Sequence, residues 1–177
     1  MNAVTIKNQY PIPLISELIV QLHGTKYFTK LDVHWGFNNV RICDRDEWKA
    51  TFCTNCRLFE PQVMFFSLTN SPATFQTMMN DIFQDMIAEG VICIYLDDIL
   101  IFTKTLSEHQ NIVWRVLECP WEHKLYLFKQ KRIVYLRVIV SEGQVEMDPI
   151  KVSGVAEWPT PQNKKEVQSF VGFVNFY

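Results

Sequence analysis

The chain has 177 residues, 48% hydrophobic and 14% aromatic, with a net charge of −2 from 17 basic and 19 acidic side chains, a composition that suits one globular domain or two subdomains sharing a core. No apolar stretch approaches the ~20 residues that cross a bilayer and MNAVTIKNQY has no secretory pattern, so a soluble, intracellular protein is expected. The five cysteines form an odd, unpatterned set that argues against a secreted disulfide scaffold, and the charge balance lacks the basic footprint usual in nucleic-acid binders.

In chain order, Pro11 and Pro13 lead into a helix with Leu14, Ile15, Leu18, Ile19 and Leu22 on one face, ended by Gly24. Lys26 to Val33 follows as a strand that delivers Asp32 just before a turn containing Gly36. Between Val40 and Met64 the segments VRIC, KATFC and RLFEPQVMFF alternate apolar runs with polar turns and predict strands. Cys53 and Cys56 form a Cys-x-x-Cys, but no second pair completes a four-ligand structural zinc site. Ser71 to Gly90 is the strongest helix, with Ser71 as N-cap, Pro72 in the first turn, Gly90 past the end and a stripe from Phe75 to Ile87.

Val91 to Leu96 and Ile99 to Thr103 are short, β-branched and apolar on both faces, and predict a buried hairpin with Asp97 and Asp98 at its turn. Thr105 to Glu108 is a capping box opening a helix through Ile112, Val113, Val116 and Leu117, which Pro120 should stop or kink. A strand over Tyr135 to Ser141, a short helix opened by Asp148 and Pro149, and a second capping box at Asn163 to Glu166 complete the pattern. There is no internal repeat and no low-complexity segment.

The chemistry concentrates at the hairpin. An Asp-Asp pair can serve only the turn, because Asp bonds nearby backbone N–H groups. Asp32 changes the balance: three carboxylates at the ends of adjacent strands could hold two divalent cations about 3.5–4 Å apart for in-line phosphoryl transfer.

These residues also carry a family resemblance. YLDDILIF resembles the catalytic hairpin of reverse transcriptases, in particular those of gypsy-class long-terminal-repeat retrotransposons. LDVHWGFNNVRI resembles the family's first catalytic segment, VMFFSLTNSPATFQTMMNDIF its middle motif and YLRVIVSEG the segment after the hairpin, all in the family's order over essentially the whole chain.

The resemblance implies an α+β fold, a right-hand polymerase palm whose antiparallel sheet carries helices on one face, with partial fingers and the start of a thumb or connection. Its boundaries would be 1–39 for the N-terminal helix and first palm strand, 40–66 for the fingers, 67–140 for the palm with its hairpin at 91–104, and 141–177 for the truncated thumb or connection. It implies RNA-directed DNA polymerisation, with Asp32, Asp97 and Asp98 as catalytic residues. Two Mg²⁺ ions, or Mn²⁺, would be held by these acids and the Val33 carbonyl; Asp98 would need the turn to redirect it, since adjacent strand residues face opposite ways.

By the same resemblance, Val33, Trp35, Gly36, Phe37, Ser67 and Gln76 would line the nucleotide site. Phe37 would exclude a ribose 2′-hydroxyl, and the N–H groups of Trp35 and Gly36 would face the triphosphate. Tyr135, Leu136 and Arg137 would grip the primer. The partners implied are an RNA or DNA template with primer and deoxynucleoside triphosphates, without a membrane; the remaining polyprotein domains, ribonuclease H and integrase, are expected to be absent from this chain.

The chain also departs from the family. Ser67 and Arg137 stand where Gly is usual, and the segment between Leu127 and Phe128 is shorter than the family pattern. Gln9, His34, Cys53, Cys56, Cys119 and Trp121 stand where Arg is common. These departures favour an alternative, a decayed retroelement remnant that folds like a palm without activity. A metal-dependent nuclease using the same acids fits the chemistry but not the motif order.

Overall fold

The computed structural model describes residues 2–123, 125–129, 134–135, 138–141, 144–147 and 149–174. After the two prolines, α1 (Ile15–Gln21) buries Leu18, and the chain turns through Gly24 into β1 (Tyr27–Val33). The next region departs from the expected strands. It holds a 3-10 turn at Gly36–Asn39, another at Glu47–Ala50, a two-residue pair, β2 (Phe52–Cys53) with β3 (Leu58–Phe59), and an isolated antiparallel bridge of Arg41 with Val63, flanked by Ile42 N–H donating to the Gln62 carbonyl and Met64 N–H to that of Val40. Phe52, Leu58 and Phe59 are exposed, so this hairpin has no apolar layer to reward further pairing.

α2 (Ser71–Ile82) and α3 (Gln84–Ala88) replace the single helix expected from Ser71 to Gly90. Asn70, not Ser71, is the N-cap, and the Ser71 hydroxyl donates instead to the Phe65 carbonyl at 3.0 Å. The break falls at Phe83, whose ring is fully buried while Met86 joins the same core, so packing sets the break. The end is as expected: Gly90 takes a φ of +70°, with Gly90 N–H donating to the Ile87 carbonyl and Val91 N–H to that of Met86.

β4 (Ile92–Tyr95) and β5 (Asp98–Thr103) form the predicted hairpin, with the turn one residue earlier than expected. Tyr95 pairs with Asp98, leaving Leu96 and Asp97 as the loop, and Leu96 carries a φ of +54° that side-chain-bearing residues rarely adopt. α4 (Leu106–Glu122) begins at the Thr105 cap, whose hydroxyl accepts from Glu108 N–H at 3.4 Å. It continues through Pro120, contrary to expectation. Only two helical residues follow that proline, which has no N–H to give the Val116 carbonyl, so the bond it removes belongs to the last turn.

β6 (Leu127–Lys129) completes the main sheet, ordered β4-β5-β1-β6 with every pair antiparallel. Beyond it, β7 (Val134–Tyr135), β8 (Val138–Ser141) and β9 (Gln144–Met147) form a small antiparallel sheet. The strand expected from Tyr135 to Ser141 is therefore two strands, paired Tyr135 to Val138; Leu136 and Arg137 lie outside the described residues, as does Asp148. α5 (Pro149–Ala156) and α6 (Lys164–Val174) follow, α6 opened by the expected capping box in which Asn163 Oδ1 accepts from Glu166 N–H at 3.0 Å.

The alternation of β5 explains its unbroken apolarity. Ile99 and Ile101 join Leu31, Val33, Ile92 and Ile94 beneath Phe75, Met79, Phe83, Ile112 and Val116 of the helices. Leu100 and Phe102 face the other way and pack with Cys93 against Leu18 and Leu22. A central strand covered on both faces has no polar side. The fold is thus α+β, with three helices on one face of the sheet and α1 on part of the other.

Candidate active site

The acids converge because of register. In the β1–β5 pairing Asp32 sits opposite Asp98, and the turn places Asp97 beside them, with Val33 N–H donating to the Asp97 carbonyl at 2.9 Å. That bond ties the end of β1 to the hairpin tip. Asp32 and Asp97 line one pocket of about 270 Å³ with Val33, Trp35, Gly36, Phe37, Phe66 and Phe75.

The third acid is engaged by a lysine. Lys30, two residues before Asp32 and on the same face of β1, is 7% exposed and places its Nζ 2.8 Å from Asp98 Oδ1. Burial pushes the Asp98 carboxyl above its ordinary value, Lys30 opposes the rise, and the charges of Asp97 and Asp32 add to it. Among the described residues no group of three or more His, Cys, Asp or Glu side chains is gathered so as to hold a metal ion. The expected three-acid cluster is therefore a pair in the pocket and a third carboxylate engaged by a buried ammonium. Asp32 and Asp97 remain hard oxygen donors of the kind Mg²⁺ takes.

The pocket walls follow from local geometry. Trp35 has a left-handed φ of +54° and Gly36 opens the 3-10 turn, a reversal of hand that points successive N–H groups to one side. A Cβ on Gly36 would lie 3.3 Å from Phe75 Cζ and 3.4 Å from Asp97 Cβ, so glycine lets the turn approach the hairpin. Phe37 is buried and meets Phe66 and Phe75 edge to face, with ring centroids 4.8 and 5.3 Å away.

Two proposed nucleotide contacts sit elsewhere. Ser67 is exposed and does not line the pocket; its carbonyl accepts from Asn2 Nδ2 at 2.7 Å. Gln76 is fully buried behind the hairpin: its Oε1 accepts from Leu96 N–H at 2.8 Å and its Nε2 donates to the Ile94 carbonyl at 3.2 Å. Its side chain braces the Leu96–Asp97 turn and does not line the pocket. Tyr135 lies in β7, in the small sheet.

Against this geometry, the family model "Reverse transcriptase (RNA-dependent DNA polymerase)" matches residues 1–172. The chain belongs to the reverse transcriptase family. The retrovirus-related Pol polyproteins of the Drosophila melanogaster transposons 297 and gypsy are 33% and 31% identical over the whole chain, and the Tf2-3 transposon polyprotein of Schizosaccharomyces pombe is 32% identical over 99% of it. The chain spans only 17%, 18% and 14% of those polyproteins.

Among solved structures, the foamy viral protease-reverse transcriptase in complex with double-stranded DNA superposes with a TM-score of 0.84 over 99% of this chain and 31% of that one, at 22% identity. The same enzyme in complex with an RNA/DNA hybrid gives 0.80. The reverse transcriptase palm is therefore the fold of this chain. No helix among the described residues is long and apolar enough to cross a membrane.

Sequence reasoning missed three participants in this reverse transcriptase site: Lys30, Gln76 as a brace, and Phe75 as the floor beneath Gly36. Lys30 had a readable signal, a lysine two positions before Asp32 and therefore on the same face of the strand. Gln76 had a weaker one, a polar residue inside the apolar stripe of a core helix.

Proposed function

We propose that this chain is the palm, with part of the fingers, of a gypsy-class retrotransposon reverse transcriptase, extending a primer 3′-hydroxyl with deoxynucleotides on an RNA or DNA template. The observation that carries this reading is the pocket shared by Asp32 and Asp97, closed by Gly36 and Phe37. Asp32, Asp97 and the Val33 carbonyl would hold Mg²⁺, with Mn²⁺ as a substitute. When bound, the metal supplies a more acidic primer hydroxyl and charge stabilisation on the phosphoryl oxygens. No protein nucleophile is needed.

The remaining roles belong to the chain. The N–H groups of Trp35 and Gly36 face the triphosphate, Phe37 forms the floor under the sugar, and Gln76 holds the turn that carries Asp97. Asp98 acts as the counter-ion of Lys30 and not as a primary metal ligand. Tyr135, Leu136 and Arg137 grip the primer end. The foamy viral complexes with duplex DNA and with an RNA/DNA hybrid support a primed duplex as the partner.

The test is extension of a DNA primer on poly(rA) with dTTP and Mg²⁺. Template-dependent addition of deoxynucleotides is expected. A folded protein that leaves the primer unchanged under Mg²⁺ and Mn²⁺ would favour the inactive-remnant reading, and primer shortening would favour a nuclease.

A further inference from the structure

The brace behind the catalytic turn does not end at Gln76. Besides the Ile94 carbonyl, Gln76 Nε2 reaches Asn80 Oδ1 at 2.9 Å, one helical turn along α2, and Asn80 Nδ2 reaches the Tyr10 hydroxyl at 2.8 Å. Tyr10 lies in the N-terminal segment, far in sequence from both helix and hairpin. That segment is fastened to the loop before α2 by reciprocal amide bonds. Asn2 Nδ2 donates to the Ser67 carbonyl and Asn2 Oδ1 accepts from Thr69 N–H, while Asn70 Nδ2 donates to the Ile6 carbonyl and Asn70 Oδ1 accepts from Asn8 N–H.

The chain of bonds has a forced direction. A backbone N–H can only donate, so Leu96 fixes Gln76 with its oxygen toward the turn and its amide nitrogen toward Asn80. Asn80 must then present Oδ1 to Gln76, which leaves Nδ2 for Tyr10. The turn held at the far end is the one with the left-handed Leu96, a conformation that persists only where its surroundings enforce it. Asp97 is the next residue.

We propose that Tyr10 and Asn80 are positioning residues for the polymerase reaction, acting through Gln76 to hold the Leu96–Asp97 turn in its catalytic geometry. This rests on the polymerase reading for its kinetic consequence. The relay itself is measurable without catalysis, by hydrogen exchange at the Leu96 amide.

Asn80→Leu leaves a buried Gln76 N–H without its acceptor, and exchange at Leu96 should rise about tenfold. Tyr10→Phe removes only the outer bond, which lets the Asn80 amide rotate, and should raise exchange about threefold. Asn80→Asp has oxygen at both positions and cannot be misoriented, and the Tyr10 O–H can donate to it. In that background Tyr10→Phe should leave Leu96 exchange unchanged, a suppression that loss of packing around Tyr10 would not produce.

In steady-state extension on primed poly(rA), the variants should lower kcat in the same order as they raise exchange, with the KM for dTTP within about twofold of the parent's. Unchanged Leu96 exchange in Asn80→Leu would overturn the relay, whether or not the parent extends primers. Faster exchange with parental kcat would overturn the positioning role. A parent that exchanges as expected and extends nothing would overturn the polymerase reading and, with it, the kinetic role, leaving the relay established by exchange alone.

Discussion

Lys30 Nζ lies 2.8 Å from Asp98 Oδ1, on the sheet face where Asp98 also sits opposite Asp32. A buried ammonium and a mostly buried carboxylate gain little over a well-packed apolar pair, but removing one partner strands the other. Lys30→Met and Asp98→Asn should each destabilise the fold by about 3 kcal/mol, and Lys30→Met with Asp98→Asn should recover most of that loss. Urea melts of the four proteins give the coupling directly; additive losses would show that the pair does not interact.

The same carboxyl sets a pH dependence. Burial raises its proton affinity in the folded state above that of the unfolded chain. The folded state therefore holds the proton at pH values where the unfolded state has released it. Its contribution to stability should fall as pH rises from about 4 toward the raised value, the reverse of an ordinary salt-bridged aspartate. Asp98→Asn should flatten that part of the profile of Tm against pH, and an unaltered slope would contradict the assignment.

Asp97→Asn and Asp32→Asn should abolish primer extension with the fold intact, because the amide keeps the shape but loses the charge that would hold the metal. Circular dichroism with single-turnover extension checks both halves. Extension within about threefold of the parent, a difference of only about 0.65 kcal/mol, would remove either residue from the metal site.

Gly36→Ala should lower kcat/KM for dTTP by about tenfold, with a change in Tm of only a few degrees. The added methyl would press on the Phe75 ring and the Asp97 Cβ, at 3.3 and 3.4 Å, and the hairpin tip has to give way. Full activity in this variant would show that the turn and the tip need not approach so closely.

Phe37→Ala should raise the ratio of ribonucleotide to deoxyribonucleotide kcat/KM, since only the 2′-hydroxyl senses the missing ring. It should also cost about 3 kcal/mol of stability, because the ring is buried between Phe66 and Phe75. Phe37→Leu, which refills part of the space, separates the two effects. A ratio that stays constant across both variants assigns Phe37 to the core alone.

The sequence by itself determined what depends on neighbours along the chain. The apolar hairpin with its acidic tip, the strand ending at Asp32, the Thr105 and Asn163 caps and the stop at Gly90 are local patterns, and each formed close to where it was expected. Where packing competed with propensity, the local pattern misled: helix 71–90 broke at Phe83, α4 ran past Pro120, and the fingers strands shrank to one short exposed pair and a single bridge. Only the tertiary structure decided which polar groups meet. The register of β1 on β5 brings Asp98 within reach of Lys30, and the docking of α2 behind the hairpin puts Gln76 on the Leu96 amide. A buried polar group takes whichever partner the fold brings within about 3 Å, so these pairings depend on distances between segments that no spacing along the chain encodes.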